Sequence, residues 1–149
     1  KLLQDNEVMY AYEGAFNGTE VREWLDRQIK RYAEDKVGLW GAVLKENGEL
    51  IGQCGITMQP YREQTVPEIG YLIRMNFWHN GYATEAARSC ADYASHILGI
   101  KRIYSIIRDN NLPSQGVAKR IGMTPDDTIV KHYRGIDMPH IVFSMPLGE

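Results

Sequence analysis

The sequence predicts an α/β (α+β) protein built on one mixed sheet, and three observations carry that expectation. Runs at helical spacing and short β-rich runs follow one another as helix, three strands, helix, strand, helix, two strands, with no internal repeat. Asn47-Gly48 separates two of the β-rich runs, the strongest short-range hairpin signal a sequence offers. The stretch Trp78 to Glu85, W-H-N-G-Y-A-T-E, lies where extended sequence stops and helical sequence starts. At 149 residues the chain reads as one domain, 1–149, long enough to bury a core without staples.

The elements follow in order. Leu2, Leu3, Val8 and Met9 suggest the end of a helix or a capped loop, and the chain opens without a first strand, so a truncated start is expected. From Thr19 to Ala33 an apolar face of Val21, Trp24, Leu25, Gln28, Ile29 and Tyr32 predicts a helix packed on a core. Thr19 would be its cap, with Glu20 and Glu23 favourably placed in the first turn. Leu39 to Leu44 and Leu50 to Met58 read as an antiparallel pair across Asn47-Gly48. Gly52 and Gly55 within the second strand mark a bulge or a close approach. After a loop from Pro60 to Pro67, a third strand covers Glu68 to Arg74.

The next helix carries Ala83, Ala86, Ala87, Cys90, Ala94, Ile97 and Leu98 on one face and ends at Gly99. Arg102 to Ile107 is a strand, and Asp109-Asn110-Asn111 breaks it. A short helix starts near Pro113, buries Val117, Ala118 and Ile121, and stops at Gly122. Thr128 to Tyr133 and His140 to Met145 form a terminal hairpin around Gly135.

Charge and composition narrow the function classes. The formal charge of -2 and the absence of a Lys/Arg block argue against nucleic acid or an anionic membrane as the main partner. No apolar run approaches the ~20 residues that span a bilayer, and no basic-then-apolar leader opens the sequence, so a cytoplasmic protein is expected. Cys54 and Cys90 have no ligand-like neighbours and read as buried thiols. His132 and His140 lie on different strands without partners at ligand spacing, so no metal site is expected.

The corner at Gly81 is where chemistry enters. Amides in the first turn of a helix lack intrahelical acceptors, and the macrodipole places roughly half a positive charge there. Gly81 and Ala83 leave the approach open, so the corner is an anion cradle suited to phosphate.

Taken together, the strand E-I-G-Y-L-I-R-M, the cradle W-H-N-G-Y-A-T-E-A, the segment I-Y-S-I-I-R-D-N-N-L-P-S and A-K-R-I-G-M resemble the GNAT N-acetyltransferases, specifically the branch that acetylates ribosomal-protein N-termini. The resemblance runs from about Leu2 to Met145. Trp78 to Ala83 matches the family's acetyl-CoA signature, Arg/Gln-x-x-Gly-x-Gly/Ala, with Trp78 at the Arg or Gln position. Asn111 and Ser114 match its Asn-x-x-Ser, and Ala118 falls where many members carry a Tyr. A mostly antiparallel twisted sheet flanked by helices is implied, with the family's fourth and fifth strands splayed.

The same resemblance implies acetyl-CoA as co-substrate and a cofactor site residue by residue. Main chain at Ile73 and Arg74 would meet the pantetheine arm. Amides of His79, Asn80, Gly81, Tyr82, Ala83 and Thr84 would hold the pyrophosphate. Asn111 and Ser114 would lie on the pantetheine side, and Lys119 would add charge near the adenosine phosphates. Acetyl transfer to an amine needs a base or water path, an oxyanion donor and an acid for the thiolate, and no metal. Glu68 resembles the family's base position. With Ala118 at the Tyr position, Ser114 is the candidate acid. The resemblance places the acceptor near Trp24, Tyr32, Trp40, Tyr133 and Asp137.

Transfer of acetyl from acetyl-CoA to a primary amine is therefore the expected function, the acceptor being a protein N-terminus, amino acid, polyamine or amine antibiotic. A non-catalytic acetyl-CoA binder is the alternative, favoured by Ala118 and Trp78. A nucleotide-binding domain is disfavoured by the lack of a phosphate-loop or dinucleotide motif. A second copy of the chain stays open as a partner.

Overall fold

The computed structural model describes residues 17–148, and the expectations for Leu2 to Met9 lie outside them. Helix α1 spans Gly18–Glu34 and is followed by strands β1 (Leu39–Val43), β2 (Leu50–Tyr61) and β3 (Gln64–Ile73). A 3₁₀ turn (Met75–Phe77) leads to helix α2 (Tyr82–His96), then β4 (Arg102–Arg108), helix α3 (Leu112–Arg120), β5 (Thr124–Tyr133) and β6 (Ile136–Pro146). The six strands form one sheet in the order β1-β2-β3-β4-β6-β5, mostly antiparallel, as expected of the fold class.

The exception decides the architecture. β3 and β4 run parallel and pair at one register position, Glu68 with Tyr104. Beyond it side chains replace the ladder: Ser105 Oγ donates to the Ile69 carbonyl at 2.7 Å, and the Ile106 N–H donates to Glu68 Oε2 at 2.7 Å. The strands then splay, and α2 and α3 begin at the open end.

One face of the sheet packs on α2 and α3. Ile69, Ile103, Ile107 and Phe143 meet Ala87, Cys90, Ala91 and Ala94 of α2 and Val117 and Ala118 of α3. Small residues on α2 let its axis approach the sheet, so Phe143, 1 % exposed, fills the space beneath. Cys54 and Cys90 are free, buried thiols whose sulfurs lie 3.4 Å apart between β2 and α2. The hydrogen bond with Cys90 and burial push the Cys54 thiol above its ordinary pKa.

Several boundaries differ from expectation for identifiable reasons. The cap of α1 is Asn17, not Thr19: its side chain accepts from Glu20 N–H while Glu20 reaches back to the Asn17 N–H, a complete capping box. The predicted apolar face of α1 buries little among the described residues, where Leu25 and Ile29 are half exposed or more and Gln28 alone is buried. Pro60 to Pro67 is not a loop, because both strands continue through it to a tight turn at Arg62-Glu63. Gly52 and Gly55 are close approaches: a Cβ there would stand 2.2 Å from the Leu72 and Gly38 carbonyl oxygens respectively. Among the described residues no helix is long and apolar enough to cross a membrane.

Candidate active site

The cradle forms because the chain must turn from β3 into α2 within a few residues. His79 and Gly81 both adopt left-handed backbone, at φ 66° and 78°. Asn80 fixes the turn by donating its side-chain amide to the carbonyls of Phe77 and Trp78. Gly81 is the N-cap of α2 and provides no side-chain acceptor for the first-turn amides. A Cβ on Gly81 would meet nothing within 4 Å, so the approach to those amides is open. Left-handed turns flanking an uncapped helix start match the chemistry of an anionic phosphate group.

A cleft of about 360 Å³ opens from this corner along the splayed strands. Of the residues expected to hold acetyl-CoA, the structure places Ile73, His79, Gly81, Tyr82, Ala83, Thr84, Asn111 and Ser114 along it. Three fall elsewhere. Arg74 turns back to β2, its guanidinium donating to the Leu50 carbonyl and its main-chain N–H to that of Ile51. Asn80 is outside the lining and its side-chain amide is taken up within the turn, which leaves the expected role of its main-chain N–H untouched. Lys119 lies outside the lining and Arg120 takes its place, because one residue on a helix rotates the side chain by about 100°. Arg120 Nε donates to Thr84 Oγ1 at 3.1 Å, which ties the end of α3 to the first turn of α2 and carries a guanidinium to the cradle.

The main chain of β3 also differs in detail. The Ile73 carbonyl is taken by the Trp78 indole N–H at 2.7 Å, so Trp78 pins the strand end to the cradle. With the carbonyls of Ile69 and Ile73 both aimed toward the splay, the two-residue alternation points the main-chain groups of Tyr71 there as well. Tyr71, which sequence reasoning had not singled out, donates its hydroxyl to the Ser114 carbonyl at 2.5 Å. Asn111 caps α3, its Oδ1 accepting from the Ser114 N–H.

A second, narrower cleft of about 70 Å³ lies between β3 and β4. Glu68, Arg108 and His140 line it, and Tyr71, Asn111 and Ser114 belong to both clefts. The two expected catalytic residues, Glu68 and Ser114, thus share one cavity. Burial pushes the Glu68 carboxyl above its ordinary range, while Lys131, the Ile106 amide and Arg31 draw it partway back. Burial lowers the pKa of His140, whose Nδ1 faces the Met138 carbonyl at 2.8 Å. A neutral ring donating there presents Nε2 as an acceptor.

The residues expected to surround the acceptor are not gathered here. Tyr32 donates to the Leu39 carbonyl, Trp40 packs edge-on against Tyr93 of α2, Arg134 covers the Tyr133 ring, and Asp137 pairs with His132. Trp24 is partly buried on α1, and none of the five lines either cleft. Among the described residues no group of three His, Cys, Asp or Glu side chains is placed to hold a metal ion.

A splayed parallel pair whose open end faces an anion cradle defines a class of acyl-transferring folds, and comparison with known proteins agrees. Residues 1–124 match the family described as Acetyltransferase (GNAT) domain. The uncharacterised protein YkkB of Bacillus subtilis is 40% identical over 130 residues, covering 87% of this chain and 76% of that protein. An uncharacterised N-acetyltransferase of the same organism, YnaD, is 30% identical over 120 residues, covering 80% of this chain and 67% of its own. A GNAT-family acetyltransferase from Bacillus anthracis superposes with a TM-score of 0.77 at 21% identity, over 97% of this chain and 84% of the other. The chain belongs to the GNAT acetyltransferase family.

Proposed function

We propose that this protein transfers the acetyl group of acetyl-CoA to a primary amine by direct attack in a ternary complex, within one domain spanning 1–149. The observation that carries the reading is the meeting of the two clefts at Tyr71, Asn111 and Ser114, one leading to the anion cradle and the other to Glu68. Phosphates fit the first-turn amides of α2 and the Arg120 guanidinium, and the pantetheine arm fits the splay between β3 and β4. The thioester supplies an activated acyl carbon at the junction. There the amine nitrogen forms the new C–N bond as the C–S bond breaks.

Glu68 receives the amine's proton directly or through a water, and Ser114 is the hydroxyl placed to return a proton to the leaving thiolate. Burial raises the Glu68 pKa above the ordinary carboxylate range, which makes it a stronger base toward an ammonium than an exposed carboxylate is. The motif around Trp78, with Asn111 and Ser114, supports membership of the ribosomal-protein N-terminal branch, which leaves protein N-termini, amino acids, polyamines and amine antibiotics as acceptors to be sorted.

The test is release of free coenzyme A with a panel of such amines, beside thermal unfolding with acetyl-CoA, NAD and ATP. Acetyl-CoA alone is expected to raise the melting temperature, since only the native state binds it. Stabilisation by ATP without any by acetyl-CoA overturns the cofactor. Stabilisation by acetyl-CoA with no thiol release from any amine converts the reading to a non-catalytic binder, which buried Ala118 at the usual Tyr position would then explain.

A further inference from the structure

The core between β2 and α2 holds two thiols that acetyl transfer does not use. Cys54 stands within β2, paired with Trp40 of β1 on one side and Tyr71 of β3 on the other, and Cys90 is buried on α2. Their sulfurs face each other at 3.4 Å, each residue is 5% exposed, and neither lines a cleft.

A second contact joins the same layers beside them. Trp40, opposite Cys54 in the β1–β2 register, meets the Tyr93 ring edge-on with centroids 5.3 Å apart, and Tyr93 lies about one turn beyond Cys90 on α2. Both rings are more than a third exposed, so solvent reaches the rim of the layer that holds the thiols.

Two cysteines that merely fill a core as small apolar groups have no need to meet sulfur to sulfur. A disulfide requires a separation of about 2.05 Å, so about 1.4 Å has to close, a shift within the reach of side-chain rotation. The hydrogen bond with Cys54 lowers the Cys90 pKa, which makes Cys90 the sulfur that reacts first.

We propose that Cys54 and Cys90 form a redox-modification site, closed by a peroxide-class oxidant into a disulfide that bolts β2 to the cradle helix and reopened by a thiol reductant. The Cys90 thiolate attacks one peroxide oxygen, the O–O bond breaks, and a sulfenic acid forms as the released hydroxide takes a proton to become water. The Cys54 sulfur then attacks that of Cys90. The S–S bond forms as the S–O bond breaks, and the departing hydroxyl takes the Cys54 proton as a second water. Two thiols have lost two electrons and two protons to the peroxide. The bridge spans 36 positions of chain and encloses β3, the 3₁₀ turn and the Gly81 corner, so it restrains the unfolded chain and holds α2 on the sheet.

Hydrogen peroxide applied to the folded protein tests this directly, because these are the only two cysteines in the chain. After denaturation both thiols are expected to resist alkylation, and proteolysis should release the Cys54 peptide joined to the Cys90 peptide. Dithiothreitol should restore both thiols. The oxidised protein is expected to melt about 4 °C or more above the reduced one and to exchange the amides of α2 more slowly. Cys54→Ala and Cys90→Ala should gain neither effect from peroxide, which separates closure of the pair from oxidation of methionine. Thiols that still alkylate after peroxide overturn the proposal, as does their loss without the joined peptide, or a bridge found only between two chains. An equal gain in melting temperature in the single variants also overturns it, and should those variants fail to fold, the peptide map of the parent decides alone.

Discussion

Glu68 on β3 holds the main-chain N–H of Ile106 on β4 at 2.7 Å, across strands that pair at one register position only. The carboxylate is at once the clasp at the head of the splay and the candidate base within it. Glu68→Gln preserves the clasp, because an amide oxygen also accepts, and removes the proton site. Activity is expected to fall most near neutral pH and to recover in part at high pH, where more amine is already neutral. Ser114→Ala should instead lower turnover at all pH values. Stability carries its own sign: a carboxyl whose folded pKa is raised costs stability as pH climbs from 4.5 through the raised value. Denaturation of Glu68→Gln should lack that decline. Parent-like turnover in both variants would assign proton transfer to water.

The cradle makes a pair of expectations about cofactor affinity. Gly81→Val places a β-branched residue at φ 78° and should cost about 1–2 kcal/mol of stability, with a larger proportional loss of acetyl-CoA binding. Arg120→Ala should weaken acetyl-CoA more than Lys119→Ala does, since Arg120 alone of the two lines the cleft. Calorimetric titration of the three variants checks both, and equal affinities for the Arg120 and Lys119 variants would place the phosphates elsewhere.

Far from the site, Asp127 joins β5 to the β2–β3 turn. Tyr61 Oη donates to Asp127 Oδ2 at 2.5 Å and Arg62 Nε at 2.8 Å, and these bonds hold its pKa down to about 2. A depressed carboxyl contributes stability above its ordinary pKa of 3.8, lost as pH falls toward 2. Asp127→Asn should therefore lower the neutral-pH melting temperature and flatten the acid limb of the profile. An unchanged acid limb would remove Asp127 from the account of acid unfolding.

Gly55→Ala tests the close approach of β1 to β2. Its Cβ would stand 2.2 Å from the Gly38 oxygen and 2.7 Å from Leu39 Cα, both main chain, so strand β1 must move. A loss of about 1–3 kcal/mol or more is expected by urea denaturation. A parent-like midpoint would show that the edge strand shifts freely.

What the sequence made legible was local chemistry. Asn47-Gly48 gave its hairpin, with Gly48 at φ 72° and Asn47 Oδ1 accepting from the Glu49 N–H. Gly81 marked the start of α2, and Pro113 marked the first turn of α3. The misses share a tertiary origin. Pro60 to Pro67 looks like a loop because its prolines and polar residues disfavour a ladder, yet bonds from Tyr61 and Arg62 to Asp127, over sixty residues away, hold that turn. No local pattern announces a partner so distant. The residues expected around the acceptor line neither cleft, and the pairing that sets Arg108 beside His140 comes only from the β4–β6 register, which no local pattern announces. Arg120 was missed by one helical position, since sequence shows that a cation is near but not which way it points.

Tyr71, Asn111 and Ser114 form a party wall between the two clefts. In the ternary reading, whatever one ligand does to the position of these side chains the other must feel, and equilibrium makes the effect reciprocal. If acetyl-CoA tightens the acceptor by some factor, the acceptor tightens acetyl-CoA by the same factor. Changes confined to one cleft, as at Gly81 or Arg108, act first on a single affinity, whereas changes in the shared wall act on the coupling itself. On that reading, cooperativity between donor and acceptor would be a property of three residues rather than of the whole fold.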